Sequence, residues 1–133
     1  MKEKIDYSSL KEAVCALIYG PNGGIIAVSR KDDHNSMGLI GGKVDKGETP
    51  EEALLRETFE ETGLKITGYE KIFERRDGNF ICYTYLCVAD GEITTDNEIS
   101  EAKGIVKEVT WDELFAGSFG NYNRELYKHI TNE

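Results

Sequence analysis

The sequence is poor in several features that mark other classes of protein. Its 133 residues contain two prolines and three cysteines. The cysteines are Cys15, Cys82 and Cys87. They are odd in number and none has the close spacing of a zinc site, so we expect buried free thiols in a reducing cytoplasm. The longest strongly apolar run, residues 13–19, is too short to cross a bilayer.

Basic residues are also scarce, and the formal net charge is −9. This balance argues against broad binding to nucleic acid or to an anionic membrane. A phosphorylated substrate stays compatible with it, because a bound divalent cation reverses the local charge. The first ten residues lack the apolar core of a signal peptide. We therefore expect a single cytoplasmic domain over residues 1–133, without membrane or nucleic-acid partners, as a monomer or a homodimer.

Apolar patterns and turn residues predict an ordered series of strands and helices. Strands are expected over residues 11–19, 25–29, 66–74, 80–89 and 104–109. A turn at residues 21–24 should make the first two a hairpin. Helices should begin after Thr49, after Thr110 and near Asn121. This order predicts an α/β (α+β) fold with a mixed sheet.

The long helix, ended by Gly63, carries two different faces. Its predicted core-facing stripe comprises Leu54, Leu55, Thr58, Phe59 and Thr62. Beside it, Glu57, Glu60 and Glu61 have the i, i+3, i+4 spacing that brings carboxylates together. They form either a solvated acidic face or a set of oxygen ligands for Mg²⁺ or Mn²⁺. The glycines of residues 38–42, just before this helix, predict a close approach of backbone to another group.

This segment resembles the MutT/Nudix box. Gly42 is followed after five residues by Glu48, and after seven more by Arg56-Glu57-Thr58-x-Glu60-Glu61-x-Gly63-Leu64. Thr58 stands where the family usually has an aliphatic residue, and Ile40 where proline is common. The resemblance implies an α/β/α sandwich around a mixed β-sheet, and a Mg²⁺- or Mn²⁺-dependent pyrophosphohydrolase of nucleoside diphosphate-linked compounds.

The resemblance also implies roles for individual residues. The catalytic set would be Glu57, Glu60, Glu61, Arg56 and Glu48. The metal would be held by the first three of these with Gly41 and a loop carboxylate, for which Glu98 is preferred over Glu101 and Asp96. Either Glu57 or the loop carboxylate would activate water. Glu48 and Arg56 would form a supporting ion pair, although Arg56 also suits simple surface pairing with Glu52 or Glu60. Phosphate would meet Gly42, Lys43 and Arg30, the last of which suits an exposed strand end equally well.

The resemblance also bears on the substrate, because subgroups of the family carry extra sequence marks outside the box. Resemblance to the ADP-ribose hydrolases would call for a proline downstream of the box, and none follows Pro50. The marks of the NADH and coenzyme A subgroups are absent as well. A MutT-like enzyme that converts (d)NTP to NMP and pyrophosphate is preferred. Dinucleoside polyphosphates, nucleotide sugars and RNA 5′ ends are alternatives, as is a non-catalytic nucleotide-sensing module. The residues expected at the base are Asn123, Asn121, Phe119, Tyr122 and Tyr83, with helix capping by an asparagine and strand packing of Tyr83 as competing interpretations.

Overall fold

The computed structural model describes residues 10–93 and 104–132 of the chain. These residues form six strands and three helices. The strands are β1 (Lys11–Leu17), β2 (Ile25–Ser29), β3 (Met37–Lys43), β4 (Lys65–Asp77), β5 (Phe80–Asp90) and β6 (Val106–Val109). The helices are α1 (Pro50–Thr62), α2 (Trp111–Phe115) and α3 (Gly120–Thr131).

The strands form one mixed sheet in the order β4-β5-β1-β3-β2-β6. β1 and β5 run parallel, and the other neighbours are antiparallel. Leu54 of α1 lies in the core on one face, while Leu114 of α2 and Leu126 of α3 lie in the core on the other. The predicted α/β sandwich around a mixed sheet is therefore confirmed. Among the described helices, none has both the length and the apolar character needed to cross a membrane.

Helix α1 begins and ends where its capping residues predict. The Thr49 side chain accepts a hydrogen bond from the Glu52 N–H, and the Glu52 side chain accepts one from the Thr49 N–H. At the other end Gly63 adopts the left-handed conformation with φ 78°. These local interactions need no tertiary contact, which explains why the sequence located both ends.

The predicted core-facing stripe of α1 is partly wrong. Leu54 and Thr58 are buried, but Leu55 is 42% exposed and Phe59 52% exposed. Each exposed residue follows a buried one, so it lies about 100° further round the helix. Ala53, which the predicted stripe omits, is fully buried.

The predicted hairpin of β1 and β2 exists only at its tip. Tyr19 and Ile25 form an isolated antiparallel bridge. Beyond it β3 lies between the two strands and pairs with both of them. The glycine-rich segment predicted to approach another group is therefore itself a central strand, whose last residues reach the helix α1.

Candidate active site

The end of β3 lies against the acidic face of α1. The Gly41 N–H donates a hydrogen bond to Glu61 Oε1 at 2.9 Å. A Cβ at Gly42 would overlap the carboxyl group of Glu57. The predicted close approach at these glycines is thus made by two carboxylates of the helix. The absence of a Cβ at Gly42 makes room for Glu57, whereas a Cβ at Gly41 would meet the Val14 carbonyl of β1.

Arg56 is the centre of an ion-pair network around these carboxylates. It binds Glu48 at two points, with Nη2–Oε1 at 2.6 Å and Nε–Oε2 at 3.1 Å. Its Nη1 donates to Glu57 at 2.9 Å and to Glu60 at 3.3 Å. Its Nη2 also donates to the Lys43 carbonyl at 3.2 Å. The predicted contact between Arg56 and Glu48 is present, and Glu52 serves the helix cap rather than Arg56.

These contacts shift the pKa values of both partners. Hydrogen bonds from Arg56 and then from the Asp45 N–H hold the pKa of Glu48 below its ordinary value of 4.5. The bonds to Glu48 and then Glu57 raise the pKa of Arg56 further above its already high value. Both groups are therefore charged throughout the neutral range, and the guanidinium offsets the repulsion among the glutamates.

The donor chemistry of the cluster fits a hard cation. Glu57, Glu60 and Glu61 offer carboxylate oxygens within two turns of one helix, as Mg²⁺ and Mn²⁺ prefer. Within residues 10–93 and 104–132, however, no three acidic, histidine or cysteine side chains are already grouped at ligand spacing. Arg56 and the Gly41 N–H are their partners instead. The predicted fourth carboxylate, Glu98, and its alternatives Glu101 and Asp96 lie outside the described residues.

A pocket of about 400 Å³ is lined by the same glycines. Residues predicted to meet phosphate and base line it together, namely Gly42, Lys43, Phe119, Tyr122 and Asn123. Gly41 lines it as well. The last residues of β3 therefore contact the acidic cluster and also line the pocket.

Asn123 is a buried residue among those that line this pocket. Its side chain is only 1% exposed, and its Nδ2 donates to the Leu114 carbonyl at 3.4 Å. The residue that precedes α3 is Phe119, and no side chain caps the helix. Capping by Asn121 or Asn123, the competing interpretation, is therefore overturned.

Three predicted residues lie apart from the pocket. The Tyr83 hydroxyl donates to Glu12 at 2.7 Å, and burial, then this bond, raises the pKa of Tyr83 to about 12. Arg30 makes a two-point exposed ion pair with Asp32, at 2.9 and 3.1 Å. Asn121 is exposed. None of the three is among the residues that line the cavity.

The structure adds pocket residues that sequence reasoning missed. These are Arg75 of β4 and Phe80, which is the first residue of β5 and is 44% exposed. The alternation of β5 places Phe80 and Cys82 on one face, but the sequence alone does not say which face meets α3. Cys15 enters the pocket from β1.

The three cysteines are free thiols, as predicted. Cys82 and Cys87 are buried and Cys15 is half-buried. The Sγ atoms of Cys15 and Cys82 lie 3.6 Å apart at the pocket wall. Their shared hydrogen bond, then burial, raises the pKa of Cys15, and the same bond lowers the pKa of Cys82. Burial raises the pKa of Cys87 to about 12.

The chain is similar to known proteins both in sequence and in fold. The NUDIX domain model matches residues 9–130. A MutT-like protein of Streptomyces ambofaciens is 26% identical over 104 residues, which are 77% of this chain and 65% of that protein. An RNA pyrophosphohydrolase of Actinobacillus succinogenes is 42% identical over 55 residues, which are 35% of this chain and 28% of that protein. The match thus spans less than two thirds of either relative. A solved Nudix hydrolase family member from Chromobacterium violaceum superposes with a TM-score of 0.71 and 26% identity, covering 100% of this chain and 83% of that one.

Proposed function

The chain belongs to the NUDIX family, and we propose that it is a metal-dependent pyrophosphohydrolase that converts a nucleoside triphosphate to the monophosphate and pyrophosphate. The family match and the fold shared with a solved Nudix hydrolase indicate a hydrolase that acts on pyrophosphate bonds. The preference for a (d)NTP, the reliance on Mg²⁺ or Mn²⁺ and a cytoplasmic location are parts of the proposal.

One observation carries the proposal: residues 41–43 join the acidic cluster to the pocket. The Gly41 N–H contacts Glu61, while Gly41, Gly42 and Lys43 all line the cavity. A phosphate chain at these residues would meet the carboxylates, with the nucleoside in the pocket. A binding module needs the pocket but not the adjoining carboxylates, so this arrangement favours an enzyme.

The chain's own groups suit the steps of phosphoanhydride hydrolysis. Glu57, Glu60 and Glu61 would hold a cation, which when bound neutralises phosphate charge and acidifies water. Arg56 orients two of these carboxylates, and Lys43 brings a further positive charge to the phosphate. Glu57 or the loop carboxylate Glu98 would accept the proton of the attacking water. The water oxygen bonds to one phosphorus of the α–β anhydride as the bond from that phosphorus to the bridging oxygen breaks, and NMP and pyrophosphate are released.

The pocket suits a nucleoside in size and in lining. Its volume lies within the range of about 300–1,000 Å³ typical of small-molecule sites. Phe80 and Phe119 line it and are 44% and 64% exposed, so both rings have surface available for stacking on a base. Stacking of this kind contributes about 1–3 kcal/mol per base. Asn123 supplies an amide that can bond to a base edge.

An RNA 5′ end is the second candidate. The local identity of 42% with an RNA pyrophosphohydrolase supports it, and the same cluster would serve the same reaction. The net charge of −9 weighs against a long polyanionic substrate. Dinucleoside polyphosphates and nucleotide sugars are further substrates to test.

A product assay tests the proposal directly. Canonical, oxidised and methylated (d)NTPs, dinucleoside polyphosphates, nucleotide sugars and 5′-triphosphorylated RNA are incubated with Mg²⁺, and the released products are identified. We expect NMP and pyrophosphate from a (d)NTP. EDTA should abolish turnover and added Mg²⁺ should restore it. Turnover that persists in EDTA would contradict the metal-dependent mechanism.

A pair of glutamine variants distinguishes the role of the cluster carboxylates from the effect of removing one negative charge anywhere on the protein. Glu61→Gln should lower turnover by about 100-fold or more, since it keeps the shape of a ligand but removes its charge. Glu70→Gln changes an exposed glutamate of β4 and serves as the control. Full activity of Glu61→Gln would exclude the assigned role of that residue.

A further inference from the structure

Two thiols lie side by side in the wall of the pocket. Cys15 belongs to β1 and Cys82 to β5, and their Sγ atoms are 3.6 Å apart. Both residues line the cavity. The reaction proposed above uses neither of them, so the pair is available for a separate chemistry.

The strand register disfavours a disulfide between them. Cys82 is paired with Ala13, and Cys15 with Thr84, so the two cysteines are offset by two residues along neighbouring strands. A rise of about 3.3 Å per residue and a strand spacing of about 4.8 Å put their Cα atoms about 8 Å apart. Cysteines more than about 7 Å apart are not bridged without backbone movement. Seven consecutive register pairs between β1 and β5 oppose that movement.

The distance between the two sulfurs, by contrast, suits a pair of ligands to one metal ion. Two thiolates at about 2.3 Å from a tetrahedral Zn²⁺ have their sulfurs about 3.8 Å apart. The observed 3.6 Å is close to this value, so an ion would need no change in the backbone. The remaining coordination positions would point into the pocket, where water can fill them. Thiolates also prefer softer ions than the oxygen ligands of α1 do.

We propose that Cys15 and Cys82 form a two-thiolate site for a soft divalent cation of the Zn²⁺ and Cd²⁺ class. Binding replaces the two thiol protons by two metal–sulfur bonds and releases both protons to solvent. Because both residues line the pocket, an ion held between their sulfurs would occupy space that the nucleoside needs. Inhibition by the ion therefore rests on the proposed function, whereas binding itself does not.

Titration of the full chain with Cd²⁺ in excess Mg²⁺ tests the binding. We expect an ultraviolet thiolate-to-cadmium absorption band that saturates at one ion per chain, with two protons released. Cys15→Ser and Cys82→Ser should each abolish the band. Cys87→Ser is the matched control, because Cys87 is buried and is not among the pocket-lining residues. Circular dichroism verifies that each variant folds, and Cys15→Ser at the half-buried position remains informative if Cys82→Ser does not.

The possible outcomes either support the site or overturn it. A band that persists in Cys15→Ser, or that disappears in folded Cys87→Ser, would overturn the assignment. A band that is lost only in the Cys15 and Cys82 variants would support it even if no hydrolysis is detected. If the nucleotide assay succeeds, Cd²⁺ should raise KM in the wild-type protein and leave KM unchanged in Cys15→Ser. Equal inhibition of both would place the inhibitory ion elsewhere.

Discussion

Arg56 and Glu48 form a two-point ion pair that ties the loop before α1 to the helix itself. Glu48 Oε1 accepts from Arg56 Nη2 at 2.6 Å and from the Asp45 N–H at 2.9 Å. One carboxylate thus holds both the fold of its own loop and the position of the guanidinium. Since that guanidinium also holds Glu57 and Glu60, a change at Glu48 should reach the acidic cluster.

The contacts of Glu48 predict that the free energy of unfolding depends on pH in the acidic range. Because folding lowers the pKa of Glu48, its contribution is fully present above the ordinary value of 4.5 and is lost as pH falls through the lower folded value. The difference in free energy of unfolding between wild type and Glu48→Gln should therefore be constant above about pH 5.5 and shrink below about pH 4.5. Chemical denaturation across this range measures it. In an Arg56→Lys background, where the planar fork is absent, the same difference should be smaller. An equal difference in both backgrounds would contradict the role of Arg56.

Gly42→Ala should damage catalysis more than folding. The added Cβ would overlap the Glu57 carboxyl group, which is the mobile end of a side chain and can move away. A displacement of about 1 Å in a reacting group can cost about 100-fold in rate. We expect a loss of that order in kcat, with little change in thermal unfolding. Gly68→Ala, which meets only a Val88 methyl at 3.3 Å, is the control. Unchanged kcat in Gly42→Ala would show that the position of Glu57 is unimportant.

Thr58 and Thr62 should respond in opposite directions when each is replaced by valine. Both are fully buried in α1. Among the described side chains, the Thr58 hydroxyl is a buried polar atom without a hydrogen-bond partner. The Thr62 hydroxyl donates to the Thr58 carbonyl at 2.6 Å and accepts from the Leu64 N–H at 3.0 Å. Thr58→Val should therefore stabilise the protein by about 1 kcal/mol, and Thr62→Val should destabilise it by about 1–3 kcal/mol. Urea denaturation measures both, and destabilisation by Thr58→Val would reveal an unrecognised partner.

Asn123→Ala tests how the base is distinguished. If this buried amide bonds to a base edge, its removal should reduce the preference among nucleotides, measured as ratios of kcat/KM. Its loss also removes one donor to the Leu114 carbonyl, which keeps the Gly117 N–H at 3.2 Å, so the expected cost in stability is about 0.5–1.5 kcal/mol. Asn121→Ala, at an exposed position two residues earlier, is the control. An equal fall in kcat/KM on every nucleotide would indicate that Asn123 has a structural role alone.

Much of α1 and its carboxylates was predictable because the interactions that define them are local. The capping box at Thr49 and Glu52 and the stop at Gly63 involve residues within one turn of each end. The spacing of Glu57, Glu60 and Glu61 follows from helix geometry alone. The exposure of Leu55 and Phe59 did not follow, because the sequence does not say how the helix is rotated on the sheet.

The placement of β3 between β1 and β2 shows where local reasoning fails. The turn residues at 21–24 correctly predicted that the chain reverses there, and Tyr19 and Ile25 form a bridge across the turn. Beyond that bridge, β3 takes the edges along which β1 and β2 would otherwise pair with each other. Asn123 is a similar case. Its position near a helix start suggested a cap, yet contacts with α2 buried it beside the Leu114 carbonyl.

The sequence by itself therefore determined the acidic helix, its ends and the resemblance that identifies its chemistry, since each depends on residues at most a few turns apart. Only the tertiary structure decided what the glycines of β3 approach, which aromatic rings share the pocket, and that Cys15 meets Cys82. Those contacts join residues up to 67 positions apart, as in the Cys15–Cys82 pair. They depend on strand order, register and helix rotation, which are set by packing of the whole core rather than by any single segment.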